Sequence, residues 1–268
     1  MHLILTGATG LVGSAVLSHM LSLPAGQIDR ISILTRRPVP MADGHPHVNV
    51  ITHGDFNSYP PELLEQLKGA EGCVWAVGVS VSMVSREGPT DGSGHREYIN
   101  ITVDYPVAAA KAFSTLSDSF KFVYVSSKSR FPLLLMSAIS LRVTDKPGVF
   151  SPSFVPMKAQ AESSLLALPS TYPSLRPFVL RPGYVDASPQ PTLSSFVAQR
   201  PEPFIKKLIP VLGPIFRTLY PARTAPTPEL GRVLCELAMG NGEPVEGDDI
   251  EGEGRIVGNP AMRRMAGL

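Results

Sequence analysis

Thr6-Gly7-Ala8-Thr9-Gly10-Leu11-Val12-Gly13 is the stretch that decides the fold. His2–Thr6, which leads into it, is an apolar run of strand length. Leu11–Leu23, which continues it, places Val12, Val16, Met20 and Leu23 on one helical face before Pro24 closes the run. A strand that turns through three glycines into a helix is the context that gives a glycine triplet meaning. Gly7 permits the tight turn, Gly10 removes the Cβ that would block a pyrophosphate, and Gly13 lets helix and strand approach. The helix start, with Thr9, Leu11 and Val12 around it, offers free N–H groups and a positive dipole end to an anion. The spacing is G-x-x-G-x-x-G.

Outward from this turn the same rhythm repeats. Ile31–Thr35 and Val48–Thr52 read as strands, Pro61–Leu67 as a short helix with proline in its first turn, and Cys73–Val77 as a fourth strand. Arg96–Phe113 reads as a long helix, Phe122–Ser126 as a fifth strand, Met157–Leu168 as a helix and Phe178–Arg181 as a sixth strand. Apolar strands alternating with helices imply an α/β, Rossmann-type, doubly wound parallel sheet covered on both faces.

After Arg181 the rhythm changes. Nine prolines between Pro189 and Pro228 allow only short helices and irregular backbone. The expected organisation is a nucleotide-binding unit over residues 1–186 and a small Pro-rich C-terminal substrate lobe over 187–268, packed on it as a single structural unit. Thr227-Pro228-Glu229 carries the signals of a helix start, and Gly240-Asn241-Gly242 ends that helix. Glu243–Gly254 reads as a solvated acidic loop, Arg255–Gly258 as a last strand and Asn259-Pro260 as the start of a terminal helix.

Composition narrows the function classes. In 268 residues, 24 Lys+Arg face 23 Asp+Glu, so no basic surplus exists to replace the counterions of a nucleic acid. Two cysteines exclude a disulfide scaffold and cysteine-type metal clusters, and fit a reducing compartment. Six histidines show no H-E-x-x-H pattern, so no metal is expected. The most apolar run, Phe131–Leu141, holds only eleven residues, against the ~20 that a spanning helix needs. With no basic segment ahead of His2–Leu5, the expectation is a cytoplasmic chain without membrane or nucleic-acid partners, acting on a small molecule.

The end of the second strand distinguishes between two nucleotides. An acid that would bind a ribose hydroxyl should stand roughly 20 residues beyond the glycines. Ile33-Leu34-Thr35-Arg36-Arg37 stands there instead, with no acid before Asp43. Two guanidinium groups suit a 2′-phosphate, which accepts bidentate, charge-assisted hydrogen bonds. The expected cofactor is NADP(H).

These residues together resemble the short-chain dehydrogenase/reductase superfamily in its extended or atypical branch, close to the epimerase-like group with the Tat-interacting-protein branch and fungal homologues. T-G-A-T-G-L-V-G is similar to that family's nucleotide signature. Gly54-Asp55-Phe56 resembles the position where an aspartate contacts adenine, and Ala76-Val77-Gly78 the A-x-G along the adenine-side ribose. Tyr98-Ile99-Asn100-Ile101-Thr102 resembles Y-x-x-N-V, and Leu180-Arg181-Pro182-Gly183 resembles the R-P-G after the sixth strand. The resemblance covers about residues 1–186.

In that family a serine follows the fifth strand and a Tyr-x-x-x-Lys follows it; the tyrosine is the general acid, and the lysine binds nicotinamide ribose and lowers the tyrosine's pKa. The resemblance assigns these roles to Ser126 or Ser127 and to Lys158, inside Met157-Lys158-Ala159-Gln160-Ala161-Glu162, similar to K-x-x-x-E. Four residues before Lys158 stands Phe154, which has no proton to give. Three readings stay open. Tyr184, Ser153 or a water replaces the acid; or the substrate supplies its own proton path; or the chain holds NADP(H) without turning it over, with non-redox chemistry on the same fold as a further variant. Tyr98 and Tyr124 read as scaffold, Trp75, Cys73 and Cys235 as core. Ser85–Arg96 reads as a glycine-rich surface insert, and Lys128–Val143 as an apolar insertion between the serines and Phe154. The resemblance further implies pairing of two copies through the helices carrying Asn100 and Lys158.

Overall fold

The computed structural model of the protein describes residues 1–78, 93–126, 155–196 and 220–268. In chain order its elements are β1 (His2–Thr6), α1 (Leu11–Ser22), β2 (Arg30–Thr35), β3 (Val48–Thr52), α2 (Pro61–Gln66), β4 (Gly72–Trp75), α3 (Ser93–Ile99), α4 (Tyr105–Phe113) and β5 (Phe120–Val125). Then follow α5 (Val155–Ala167), β6 (Leu175–Arg181), β7 (Tyr184–Asp186), α6 (Leu193–Phe196), β8 (Thr224–Pro226), α7 (Thr227–Met239), β9 (Ile250–Glu251), β10 (Ile256–Gly258) and α8 (Asn259–Met265). Eight strands form one sheet in the order β3-β2-β1-β4-β5-β6-β10-β9, parallel except for β9. This is the doubly wound arrangement that the apolar strands imply.

Strand alternation sorts the core into two layers. Leu3 and Leu5 face one side with Val74, Val123 and Phe178, and are covered by Val16 and Leu17 of α1 and Val233 and Leu234 of α7. Ile4 faces the other with Leu34, Cys73, Trp75, Phe122 and Tyr124, beneath Phe113 and Ala161. The register Leu5↔Ile33, Leu5↔Val74 and Val74↔Val123 aligns the strand ends, so the turns after β1, β2 and β4 open on the same edge. In open α/β sheets that carboxyl edge is where ligands bind.

Two features depart from the sequence-based expectation. β6 begins at Leu175 and so contains Pro177. Val179 donates its N–H to the Arg255 carbonyl beside β10, and Pro177, two residues earlier, faces the same side below the end of that pairing. Its missing N–H therefore breaks no ladder bond. The acidic stretch 243–254 is not wholly loop: Ile250–Glu251 pairs antiparallel with β10, through turns in which Asp249 and Glu253 take left-handed backbone (φ 56° and 54°). Residues after 186 pack onto the sheet and its helices. β10 extends the main sheet, and α7 lies against α1, where a Cβ on Gly231 would strike the Ala15 carbonyl.

The expected helix over Arg96–Phe113 is present but interrupted. Between α3 and α4, Asn100–Asp104 forms a π-helical turn. Pro106, in the first turn of α4, has no N–H for the carbonyl of Thr102, four residues earlier. The buried Tyr124 hydroxyl donates to that carbonyl from β5 at 3.2 Å.

Candidate functional site

A groove opens at the carboxyl edge between the turns after β1, β2 and β4. Its first wall is Gly7, Thr9 and Gly10. Gly7 takes a left-handed φ of 74°, and a Cβ there would strike the Ala76 carbonyl; a Cβ on Gly13 would strike the carbonyl of Gly7. The turn is closed by Gly10 N–H donating to the Gly7 carbonyl at 2.9 Å. No side chain caps α1, and its first turn carries no acid. The N–H groups of Leu11, Val12 and Gly13, which helix geometry leaves without intrahelical acceptors, are therefore available to an anion. Gly13 is itself buried under the turn.

The second wall is Leu34, Thr35, Arg36 and Arg37. Thr35 Oγ1 donates to the Arg37 carbonyl at 2.8 Å and accepts from the Arg37 N–H at 3.1 Å, so one hydroxyl holds the backbone on which both exposed arginines stand. The third comprises Phe56 and Ala76, Val77 and Gly78, with Ile101 and Tyr105 closing it from the helix side. Phe56 is buried, edge-on to Trp75 with centroids 5.7 Å apart and tilted against Tyr105 at 5.9 Å. Asp55 is exposed and accepts the Asn57 N–H at 3.0 Å, outside the groove's lining. The groove is apolar at one end and cationic beside it, with bare backbone at the glycine turn. The adenosine and phosphate part of a nucleotide has matching features.

The residues expected to do chemistry are arranged otherwise. Ser126 is 2% exposed and its Oγ donates to Glu162 Oε1 at 2.5 Å. That hydroxyl proton points to Glu162, in the interior. Glu162, 6% exposed, also accepts from Arg181 Nε on both oxygens (3.0 and 3.1 Å) and from a terminal guanidinium nitrogen. Arg181 in turn donates to Glu251 of β9 at 2.6 Å. Lys158 stands one helical turn before Glu162, where burial pushes its ammonium pKa down and the Glu162 carboxylate opposes the shift. The lining of the groove stops short of Lys158. Ser127, Ser153, Phe154, the insertion Lys128–Val143 and most of Ser85–Arg96 lie outside the described residues.

Tyr98 and Tyr124 are buried and burial raises both phenol pKa values, which suits scaffold rather than proton transfer. Tyr184 stands partly exposed at the start of β7. The R-P-G turn before it is held by Asn259, whose Oδ1 accepts from Gly183 N–H at 2.7 Å and whose Nδ2 donates to the Ala222 carbonyl at 2.9 Å. Leu34, Ile101, Tyr105, Asn259 and the Glu162–Arg181 pair were not singled out as site residues by sequence. The available signals were the i,i+4 spacing of Ile101 with Tyr105 and of Lys158 with Glu162. Among the described residues no group of three or more His, Cys, Asp or Glu could hold a metal, and no helix is long and apolar enough to cross a membrane.

No protein-family profile matches the chain. It is 34% identical over 268 residues to leucinostatins biosynthesis cluster protein T of Purpureocillium lilacinum, covering 98% of this chain and 94% of that one. An oxidoreductase of the short chain dehydrogenase/reductase family from Burkholderia thailandensis superposes with a TM-score of 0.61 at 17% identity, over 97% of this chain and 91% of that one. The dTDP-glucose 4,6-dehydratase DesIV from Streptomyces venezuelae, solved with NAD and TYD bound, gives 0.58 at 17% identity, over 100% of this chain and 79% of that one.

Proposed function

We propose that this chain, which belongs to the family that includes leucinostatins biosynthesis cluster protein T, is an extended-branch short-chain dehydrogenase/reductase and an NADP(H)-dependent oxidoreductase or epimerase/dehydratase-like enzyme. Its substrate is a small organic molecule, an intermediate of a biosynthesis cluster as the relative's name suggests. The observation that carries the reading is the convergence of the Gly7–Gly10 turn, Arg36, Arg37 and Ala76–Gly78 on one groove.

In this reading the bare backbone at Gly10 and the first N–H groups of α1 hold the pyrophosphate. Arg36 and Arg37 hold the 2′-phosphate. Leu34, Phe56, Ile101 and Tyr105 exclude water from the adenine end, and Lys158 holds the nicotinamide-side ribose. The nicotinamide supplies or accepts hydride when bound. Ser127, the first of the two serine candidates, orients a substrate oxygen. Phe154 cannot donate a proton, so the acid comes from Tyr184, Ser153 or a water.

Phe154 favours a second reading, a chain that binds NADP(H) as a regulatory module without oxidising it. One titration series separates the readings. Trp75 is the single tryptophan and packs against Phe56 of the groove, so energy transfer from Trp75 to a reduced nicotinamide reports binding. NADPH is expected to bind more tightly than NADH, and an Arg36→Ala/Arg37→Ala variant to lose that preference. Binding of neither nucleotide would overturn both readings. Carbonyl turnover gained only on Phe154→Tyr favours the regulatory module; turnover by the natural chain favours the enzyme.

A further inference from the structure

We propose that Glu162 is a positioning residue for Lys158, a carboxylate clamped by Arg181 and Ser126 that holds the lysine ammonium ready for a nicotinamide-side ribose beyond the lining of the groove. The inference rests on the reading of Lys158 given above. Glu162 belongs to α5, but its hydrogen bonds come from the ends of two adjacent strands: Ser126 follows β5 and Arg181 ends β6. The carboxylate therefore pins to the sheet the one helical turn that carries Lys158. A buried carboxylate with four donated hydrogen bonds is held far more rigidly than an exposed one.

Charge gives the second part of the argument. Arg181 is shared between Glu162 and Glu251, so one guanidinium faces two carboxylates. The cluster sums to zero only when Lys158 is charged as well. Tyr124, the further titratable side chain facing Glu162, is neutral because burial raises its pKa. Glu162 is accordingly the group that opposes the desolvation of Lys158 and keeps a cation where a ribose hydroxyl is to be held.

The test splits the nucleotide in two. NADPH and 2′,5′-ADP, which lacks the nicotinamide half, are titrated into the natural chain, Glu162→Gln, Lys158→Met and the double variant. Glu162→Gln and Lys158→Met are each expected to weaken NADPH by about tenfold, the scale of one charged hydrogen bond, and to leave 2′,5′-ADP unchanged. The double variant is expected to bind NADPH no worse than Lys158→Met, because Glu162 acts through the lysine. Glu162→Gln with natural NADPH affinity, or losses that multiply in the double variant, would overturn the proposal. Should Glu162→Gln also lose 2′,5′-ADP through misfolding, Ser126→Ala decides. It removes one clamp and is expected to weaken NADPH by about threefold at constant 2′,5′-ADP, a fraction of one hydrogen bond. An unchanged ratio refutes the clamp. A natural chain that binds neither ligand refutes the nucleotide reading, and this inference with it. A chain that binds both but shows no split in the variants refutes only the inference.

Discussion

The Tyr124 hydroxyl is the hydrogen-bond partner of the Thr102 carbonyl, across 3.2 Å of buried interior between β5 and the π-helical turn. Pro106 removes the N–H that an uninterrupted α-helix would have offered to that carbonyl, and the phenol supplies a donor there. Tyr124→Phe leaves a buried acceptor unpaired, which should destabilise the fold by about 1–3 kcal/mol and lower Tm by several degrees. In a Pro106→Ala background, where a backbone donor is restored, the same substitution should be milder. Equal losses in both backgrounds, read by thermal unfolding, would show that Pro106 is not the cause.

The glycines of the first turn should separate into two kinds. A Cβ on Gly13 strikes the Gly7 carbonyl underneath, so Gly13→Ala should lower Tm. A Cβ on Gly10 meets only the Gly7 carbonyl, at 3.3 Å, and Gly10 has an ordinary extended backbone (φ −97°). Gly10→Ala should therefore melt like the natural chain, yet bind NADPH at least about tenfold more weakly, because its methyl group occupies the anion's place. A Gly10→Ala protein with full NADPH affinity would remove the pyrophosphate from this turn.

Two histidines should make stability fall in mild acid. Burial lowers the pKa of His2, with Arg30 adding to the effect, and burial lowers that of His19 below the usual 6.5. Below 6.5 the unfolded chain takes up protons that the folded chain refuses, so stability rises with pH in that window and is complete above it. Tm should be flat above about pH 7 and drop as pH falls through 6.5 and beyond. His2 hydrogen-bonds Ser32 through Nε2 at 2.9 Å. His2→Gln, which keeps a polar partner for Ser32 without a titration, should shallow the drop. An unaltered slope would show that His2 does not contribute.

The two thiols should be silent in the native protein. Cys73 is fully buried, which pushes its pKa well up, and burial pushes the Cys235 thiol up to about 12. Neither supplies much thiolate at pH 8, so a disulfide-exchange reagent should find no reactive group until denaturant is added, and then two. A fast-reacting native thiol would contradict the packing of β4 or α7.

Much of the groove's lining was readable along the chain because its signals are local. A glycine triplet acts through the backbone of its own turn, and Arg36-Arg37 stand at a strand end that neighbouring apolar residues already define. Asp55 shows what residue types leave open: it stands next to Phe56, and one of its carboxylate oxygens accepts the Asn57 N–H in its own turn. The direction of one side chain depends on turn geometry that residue types alone do not express.

What the sequence determined by itself was the alternation of apolar strands and helices, hence the parallel sheet and the edge at which its turns open. Tertiary structure alone decided that Ser126 turns its hydroxyl into the core, that Glu162 and Arg181, nineteen residues apart, meet there, and that β10 returns from the C-terminus to pair with β6. Periodicity records whether a residue is buried. The partner that a buried polar group finds is set by how distant strands and helices pack, since an unpaired carboxylate in the interior would cost more than the fold could bear.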